Sequence, residues 1–303
     1  MILELSYPVD CLCDFTYDFF WQHGGSRLSP STVVPHQAGT SYTYQDLVFA
    51  LRNGEDVNLK GNAGKRLGSS LGVDLKFFGG TGKSIKTGSI IVDGDVDTRM
   101  GISMVSGAIY VKGNVKQPMG NVLEVGSDRP GFRKFMSITD ILSEVSNEKI
   151  LYPNIMENGY LYLKDGIIRD TIAARLDSDR EVIVEGNAGM STGILMKRGF
   201  VRIEGDAGLN TAALLRGGTI VAGNTGEFAG AYMKGGVLII SGKAKGFLGA
   251  NMNGGIIFYK GEAMIPGVPV DETDIKMLVR LIDISKVEAM MFKRYGINKI
   301  YSP

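Results

Sequence analysis

Four small groups of residues in this chain have types and spacings that could do chemistry. Gly189-Met190-Ser191-Thr192-Gly193 matches the G-x-S-x-G turn that presents a nucleophilic serine. Such a serine needs a strand-to-helix turn, and an acid and a histidine later in the chain to take its proton. Both histidines, His23 and His36, lie far upstream of it. A structural turn is the expected reading, and esterase-like hydrolysis through Ser191 stands only as an alternative. Gly79-Gly80-Thr81-Gly82-Lys83-Ser84 resembles the end of a phosphate-binding loop. The full pattern needs a glycine five residues before Gly82, where Phe77 stands, and a helix afterwards. Residues Ile85 to Val92 read instead as a continuing strand, so a corner is expected.

The third group is Cys11, Cys13, His23 and His36, which together are all the cysteines and histidines of the chain. Zinc binds two thiolates and two imidazoles, but C-x-C with a long gap between the histidines matches no common finger spacing. Buried thiols among aromatics are the expected outcome, with these four as weak metal candidates. The fourth group is Arg129, Arg133 and Lys134 around Gly131, a basic loop that is either solvated or a docking point.

The elements that would hold these groups follow from a repeat. Gly186-Asn187-Ala188-Gly189, Gly205-Asp206-Ala207-Gly208, Gly223-Asn224-Thr225-Gly226 and Gly242-Lys243-Ala244-Lys245 lead successive units 19, 18 and 19 residues apart, and Gly261 opens another. Earlier, Gly61, Gly80, Gly94 and Gly113 are spaced 19, 14 and 19 apart, so the coil after Gly80 is short. Seven residues after most lead glycines comes another glycine, and ten after comes Leu71, Met104, Leu123, Met196, Leu215, Met233 or Met252. Alternating apolar pairs such as Ile90/Val92, Val182/Val184 and Val201/Ile203 precede the lead glycines. A period near 19 suits one coil of a β-solenoid, with strands pointing alternate side chains inward and the Leu/Met column filling the interior. About eight coils are expected, stacked at the usual strand spacing of roughly 4.8 Å. Glycines supply positive φ and close approach at corners, and Asn62, Asn114, Asn187 and Asn224 are expected to satisfy corner backbone groups. The serine of the G-x-S-x-G match then shares its column with Arg66, Arg99, Asn210 and Phe228, which points to structure and not catalysis.

Composition narrows the classes further. The chain has 303 residues and a net charge of +1, its Lys and Arg scattered among nearly equal Asp and Glu. Nothing suggests a surface that tracks nucleic acid. No apolar run approaches a membrane span and no leader pattern opens the chain, so a cytoplasmic protein is expected. Its 42 glycines lack a Gly-X-Y period, which excludes collagen.

Along the chain, residues 1–56 read as an N-terminal capping segment outside the repeat, with a short helix from Tyr44 to Asn53. Residues 57–265 form the solenoid, interrupted by an irregular insertion at 127–181. In that insertion Ser137-Ile138-Thr139-Asp140 predicts a helix to about Val145, and Tyr160 to Ile168 reads as strands about an Asp165-Gly166 turn. Residues 266–303 form a helical tail: Asp271 to Asp283 is one helix, Ser285-Lys286-Val287-Glu288 caps a second, and Gly296 is its expected stop.

The columns described above resemble the GXGXG repeat family, which includes the β-helix subunit of formylmethanofuran dehydrogenase and the C-terminal β-helix domain of the glutamate synthase large subunit. Residues 182–261 are most similar to the first, in phrases such as Gly230-Ala231-Tyr232-Met233-Lys234-Gly235-Gly236-Val237. The resemblance covers residues 57–126 and 182–261. The N-terminal segment, the insertion and the tail depart from it. It implies an all-β, right-handed parallel β-helix that serves as a structural subunit, with no catalytic, cofactor or metal site of its own. It also implies partner subunits carrying molybdopterin or tungstopterin and iron–sulfur clusters, and a place in carbon dioxide reduction and formylmethanofuran metabolism in methanogenesis. The alternative it implies is a GXGXG subunit of an archaeal-type glutamate synthase. The surfaces expected to meet other subunits are the outer strand faces, the insertion at Phe132, Arg133 and Phe135, and the tail at Met290, Met291, Phe292 and Tyr295.

Overall fold

A computed structural model describes residues 1–17, 29–76, 79–143 and 148–296. It is mostly β, a solenoid of about nine turns at a spacing of about 19 residues, with a helical tail near the C-terminus. The chain divides into two compact units. One is Met1–Tyr152 with Ile167–Ile172, and the other is Pro153–Gly166 with Ala173–Pro303.

In the second unit, strands Tyr160–Leu163, Asp177–Val184, Arg198–Ile203, Thr219–Ala222, Lys234–Ile240 and Gly254–Tyr259 pair in parallel, each with the next. Leu161, Val182, Val201, Ile220, Leu238 and Ile257 share one register and are fully buried. The Met/Leu column is interior as the repeat predicts: Met196, Leu215, Met233 and Met252 in this unit, and Leu71, Met104 and Leu123 in the other.

Two devices lock one coil to the next. The lead glycine N–H donates to the carbonyl of the preceding lead glycine, at 2.9 Å for Gly205 to Gly186, 2.8 Å for Gly223 to Gly205 and 2.9 Å for Gly242 to Gly223. Beside this column runs a side-chain ladder. Asn187 Oδ1 accepts from Asp206 N (2.8 Å), Asp206 Oδ1 from Asn224 N (2.8 Å), and Asn224 Oδ1 from Lys243 N (2.7 Å). Asn62 and Asp95 do the same for Asp95 N and Asn114 N in the first unit. Asn62, Asn187 and Asn224 thus satisfy corner backbone groups, as expected, and Asp95 and Asp206 do the same.

Further along, most coils carry an arm in which every second residue is left-handed. Arg66, Gly68 and Ser70 have positive φ, as do Arg99, Gly101 and Ser103, Ser191, Gly193 and Leu195, Asn210, Ala212 and Leu214, and Phe228, Gly230 and Tyr232. The alternation turns successive N–H groups to opposite sides. Asn210 N donates forward to Glu227 O (2.9 Å), whereas Ala212 N donates back to Thr192 O (2.8 Å). Each non-glycine left-handed residue costs on the order of 1 kcal/mol, which its hydrogen bonds between coils offset.

The first unit departs from the sequence reading in three places. Residues 1–17 lie within the repeat: strand Ile2–Leu5 pairs in parallel with Val57–Lys60, and Cys11 and Cys13 are left-handed like the arms. Gly80 opens no coil. Val57–Lys60 pairs directly with Ile90–Asp93, with no parallel strand between them among the described residues. Finally, strand Arg133–Ser137 inserts antiparallel between Ala108–Val111 and Val122–Val125 and ends the parallel stacking there.

Four helices occur among the described residues. Helix α1 (Tyr44–Arg52) is where expected and buries Tyr44, Leu47, Val48 and Leu51. Helix α2 (Ile138–Ser143) starts at the predicted Ser137 box, and Val145 lies outside the described residues. The turn between strands Ile155–Glu157 and Tyr160–Leu163 falls at Asn158-Gly159, both left-handed, and not at Asp165-Gly166. Gly166 instead precedes another arm, with Thr171, Ala173 and Arg175 left-handed.

In the tail, α3 (Glu272–Ile282) carries a capping box at Asp271, and α4 (Lys286–Ala289) carries the predicted one at Ser285. Gly296 is no helix stop: Lys293–Gly296 is a strand, antiparallel to Gly254–Tyr259, that covers the last coil's edge. No helix among the described residues is long and apolar enough to cross a membrane.

Candidate functional site

Ser191 lies in an arm of the second unit, buried, with φ of +59°. Its N–H donates to Leu209 O (2.7 Å) and its carbonyl accepts from Ile194 N (3.1 Å). A left-handed serine is what a nucleophile turn presents, but Arg66, Arg99, Asn210 and Phe228 have the same conformation in the same column. The unit holding Ser191 contains no histidine, because both histidines precede residue 37. The motif is therefore accounted for by the repeat.

The loop resembling a phosphate cradle already holds an anion, the Asp74 carboxylate. Its Oδ2 accepts from Thr81 N (2.7 Å) and Thr81 Oγ1 (2.9 Å), and its Oδ1 accepts from Arg52. Gly82 N donates to the Asp74 carbonyl (2.6 Å) and Gly80 N to Leu75 O (2.9 Å). The donors a phosphate would use are spent, and a buried carboxylate would repel it. Beyond the loop the strand covers only Ile90–Asp93, shorter than the sequence pattern suggests.

The Thr81 N–H, Arg52 and the Thr81 hydroxyl pull the Asp74 carboxyl down to about 2. A depressed folded-state pKa stabilises the protein above the unfolded value near 4 and is lost as pH falls toward 2. The wild-type melting midpoint should fall between about pH 4 and pH 2, and Asp74→Asn should flatten part of that fall. Thermal melts across this window at constant ionic strength check it.

Among the described residues, Cys11, Cys13 and His36 do not come together as a metal site. Cys11 and Cys13 are both buried free thiols, and burial first, then the nearby Asp14 carboxylate, pushes Cys11 up to about 12 and raises Cys13 as well. Such thiols resist becoming the thiolates that metal binding requires. The C-x-C spacing reflects the alternation of the arm. His36 packs edge-on against Tyr7 (5.4 Å), and His23 lies outside the described residues. No group of three potential ligands occurs among the described residues.

The basic loop is neutralised. Arg133 makes a bidentate pair with Glu124, Lys134 Nζ binds Glu148 (2.9 and 3.1 Å), and Arg129 sits over the Tyr110 ring (5.1 Å) and 3.6 Å from Asp56. Phe132 packs on Ile91, Ala108 and Tyr110. Phe135 and Phe292 are buried within the chain's own cores, so these two leave the set of surface candidates. Tyr295 is half-buried with its ring over Gly249. Met290 and Met291 remain exposed, together with Val287.

Sequence reading missed a different set. Leu209, Phe228, Tyr232 and Phe247 are exposed on neighbouring coils of the second unit, at 45, 38, 53 and 60%. The Phe228 and Phe247 rings stack at 4.6 Å and 7°. The signal was available: arm columns that hold Arg and Ser in early coils hold Phe, Leu and Tyr in later ones.

These features define a class, a β-solenoid whose polar and thiol groups are mostly spent on its own coils. No family model matches the chain. An uncharacterized protein of Methanothermobacter thermautotrophicus (strain Delta H) is 52% identical over 201 residues. That match covers 66% of this chain and 64% of the relative, so the chain spans less than two thirds of the relative's length. A chain in the crystal structure of the formyltransferase/hydrolase complex FhcABCD of Methylorubrum extorquens, in complex with methylofuran, aligns over 96% of this chain and 91% of its own length. Its identity is 16% and its TM-score 0.30.

Proposed function

We propose that this chain is a non-catalytic structural subunit of a multi-subunit oxidoreductase, of the same type as the β-helix subunit of formylmethanofuran dehydrogenase. The observation that carries the reading is the set of in-register repeat columns of residues 182–261, the part of the sequence most similar to that subunit. Its lead glycines and Asn/Asp ladder are consumed in coil stacking. In this reading strand Ile2–Leu5 adds to the solenoid assigned from the sequence to 57–265, the rest of segment 1–56 caps it, and strand Lys293–Gly296 of the tail 266–303 covers the edge of the last coil. Exposed side chains, including Met290 and Met291, meet other protein subunits. Molybdopterin or tungstopterin and iron–sulfur clusters belong to those subunits, and the assembly works in the cytoplasm on formylmethanofuran metabolism.

The test is purification of the full chain from its own cells under native conditions, with mass spectrometry of what accompanies it. Molybdenum- or tungsten-pterin and amidohydrolase-like subunits are the expected result. A flavin and iron–sulfur synthase subunit with an amidotransferase would transfer the chain to a glutamate synthase. A chain recovered alone, as a stable monomer, would overturn the scaffold reading.

A further inference from the structure

The arms of the second unit carry side chains that the fold does not require. Left-handed backbone is least costly for glycine and asparagine and is strained for bulky residues. In the first unit the corresponding arm positions hold Arg66, Arg99, Ser70 and Ser103. The same positions with the same φ hold Phe228, Phe247 and Tyr232 in the second, exposed to water. Stacking of coils is served equally by either set, because the inter-coil bonds are backbone to backbone. Clustered aromatic side chains held rigidly on a surface are characteristic of protein interfaces.

Charge beside the row indicates what meets it. Arg216 and Lys234, two residues beyond Leu214 and Tyr232, have no ion pair among the described residues, and neither does Lys245 near Phe247. One acid, Glu227, adjoins Phe228. One coil earlier, in contrast, Lys197 and Arg198 are taken up by Asp177 and Asp179. The free charge along the row is therefore positive on balance.

We infer that the row Phe228–Tyr232–Phe247, with Arg216 and Lys234 at its side, docks a segment of another protein whose apolar side chains are flanked by carboxylates. The inference deepens the scaffold reading and rests on it for the existence of a protein partner.

The test places a photo-crosslinking benzoylphenylalanine at Tyr232 in the full chain, in its own cells, and maps the adduct by mass spectrometry. The expected adduct is on a co-purifying subunit, in a segment with Asp or Glu around apolar residues. The double variants Phe228→Ala/Phe247→Ala and Arg216→Glu/Lys234→Glu should each lower recovery of that subunit about tenfold or more at an unchanged melting midpoint. An adduct on a second copy of this chain, or on a basic segment, overturns the inference. So does full recovery of the subunit with either variant, which leaves the scaffold reading intact. Absence of any subunit with the wild-type chain is instead failure of the scaffold reading.

Discussion

Gly205→Ala destabilises the second unit by about 3 kcal/mol, the combined effect of overpacking and weakened hydrogen bonds. The position is not left-handed, so the cause is space and not conformation. A Cβ there would lie 2.2 Å from Asn187 Oδ1 and 2.8 Å from Gly186 O. Both atoms are already acceptors in the stacking, from Asp206 N and from Gly205 N itself. Neither can retreat without loosening a bond between coils. The same crowding recurs at Gly94 (2.5 Å from Gly61 O), Gly223 (2.8 Å from Gly205 O) and Gly261 (2.5 Å from Gly242 O). Urea unfolding of the variant measures the effect. A loss below about 1 kcal/mol, well under the overpacking range, would show that the column tolerates a methyl and is not what sets the coil spacing.

Leu278→Ala should cost about 2–5 kcal/mol and release the tail before the coils unfold. Leu278 is fully buried in a cluster with Val221, Ile239, Phe258, Ile282, Ala289 and Phe292. Val221, Ile239 and Phe258 share a register one residue on from the interior row, so they lie on the outer sheet face, which α3 and α4 cover. The helices are held in register by the capping boxes of Asp271 and Ser285 and by the left-handed Asp283 between them. Truncating Leu278 leaves those caps intact and removes the central apolar contact. Limited proteolysis should then cut between Pro269 and Phe292 at denaturant concentrations where Gly254–Tyr259 stays protected. Simultaneous loss of tail and coils would show instead that they unfold as one cooperative block.

Much of this molecule is written locally. A period near 19 places glycine, Asn/Asp and Met/Leu columns in register, and each column recurs because every coil meets the same neighbour in the same way. Capping boxes at Thr43, Asp271 and Ser285 are equally local, needing only residues three apart. From these the solenoid, its interior column and the polar ladder are all legible, as is the structural meaning of Ser191. Pairings between distant segments are not. Ile2–Leu5 stacks on Val57–Lys60, Val57–Lys60 on Ile90–Asp93 across a loop, and Arg133–Ser137 slips between two strands that precede it.

Parallel pairing is made by backbone groups, which carry no residue identity, so only the tertiary structure decides which strands meet. It likewise decided the fate of individual side chains. Asp74 fills its loop with a carboxylate. Phe135 and Phe292 turn inward as core, whereas Phe228, Tyr232 and Phe247 stay in water. An aromatic side chain has the same identity in either environment, and only the packing around it separates a core residue from an exposed one.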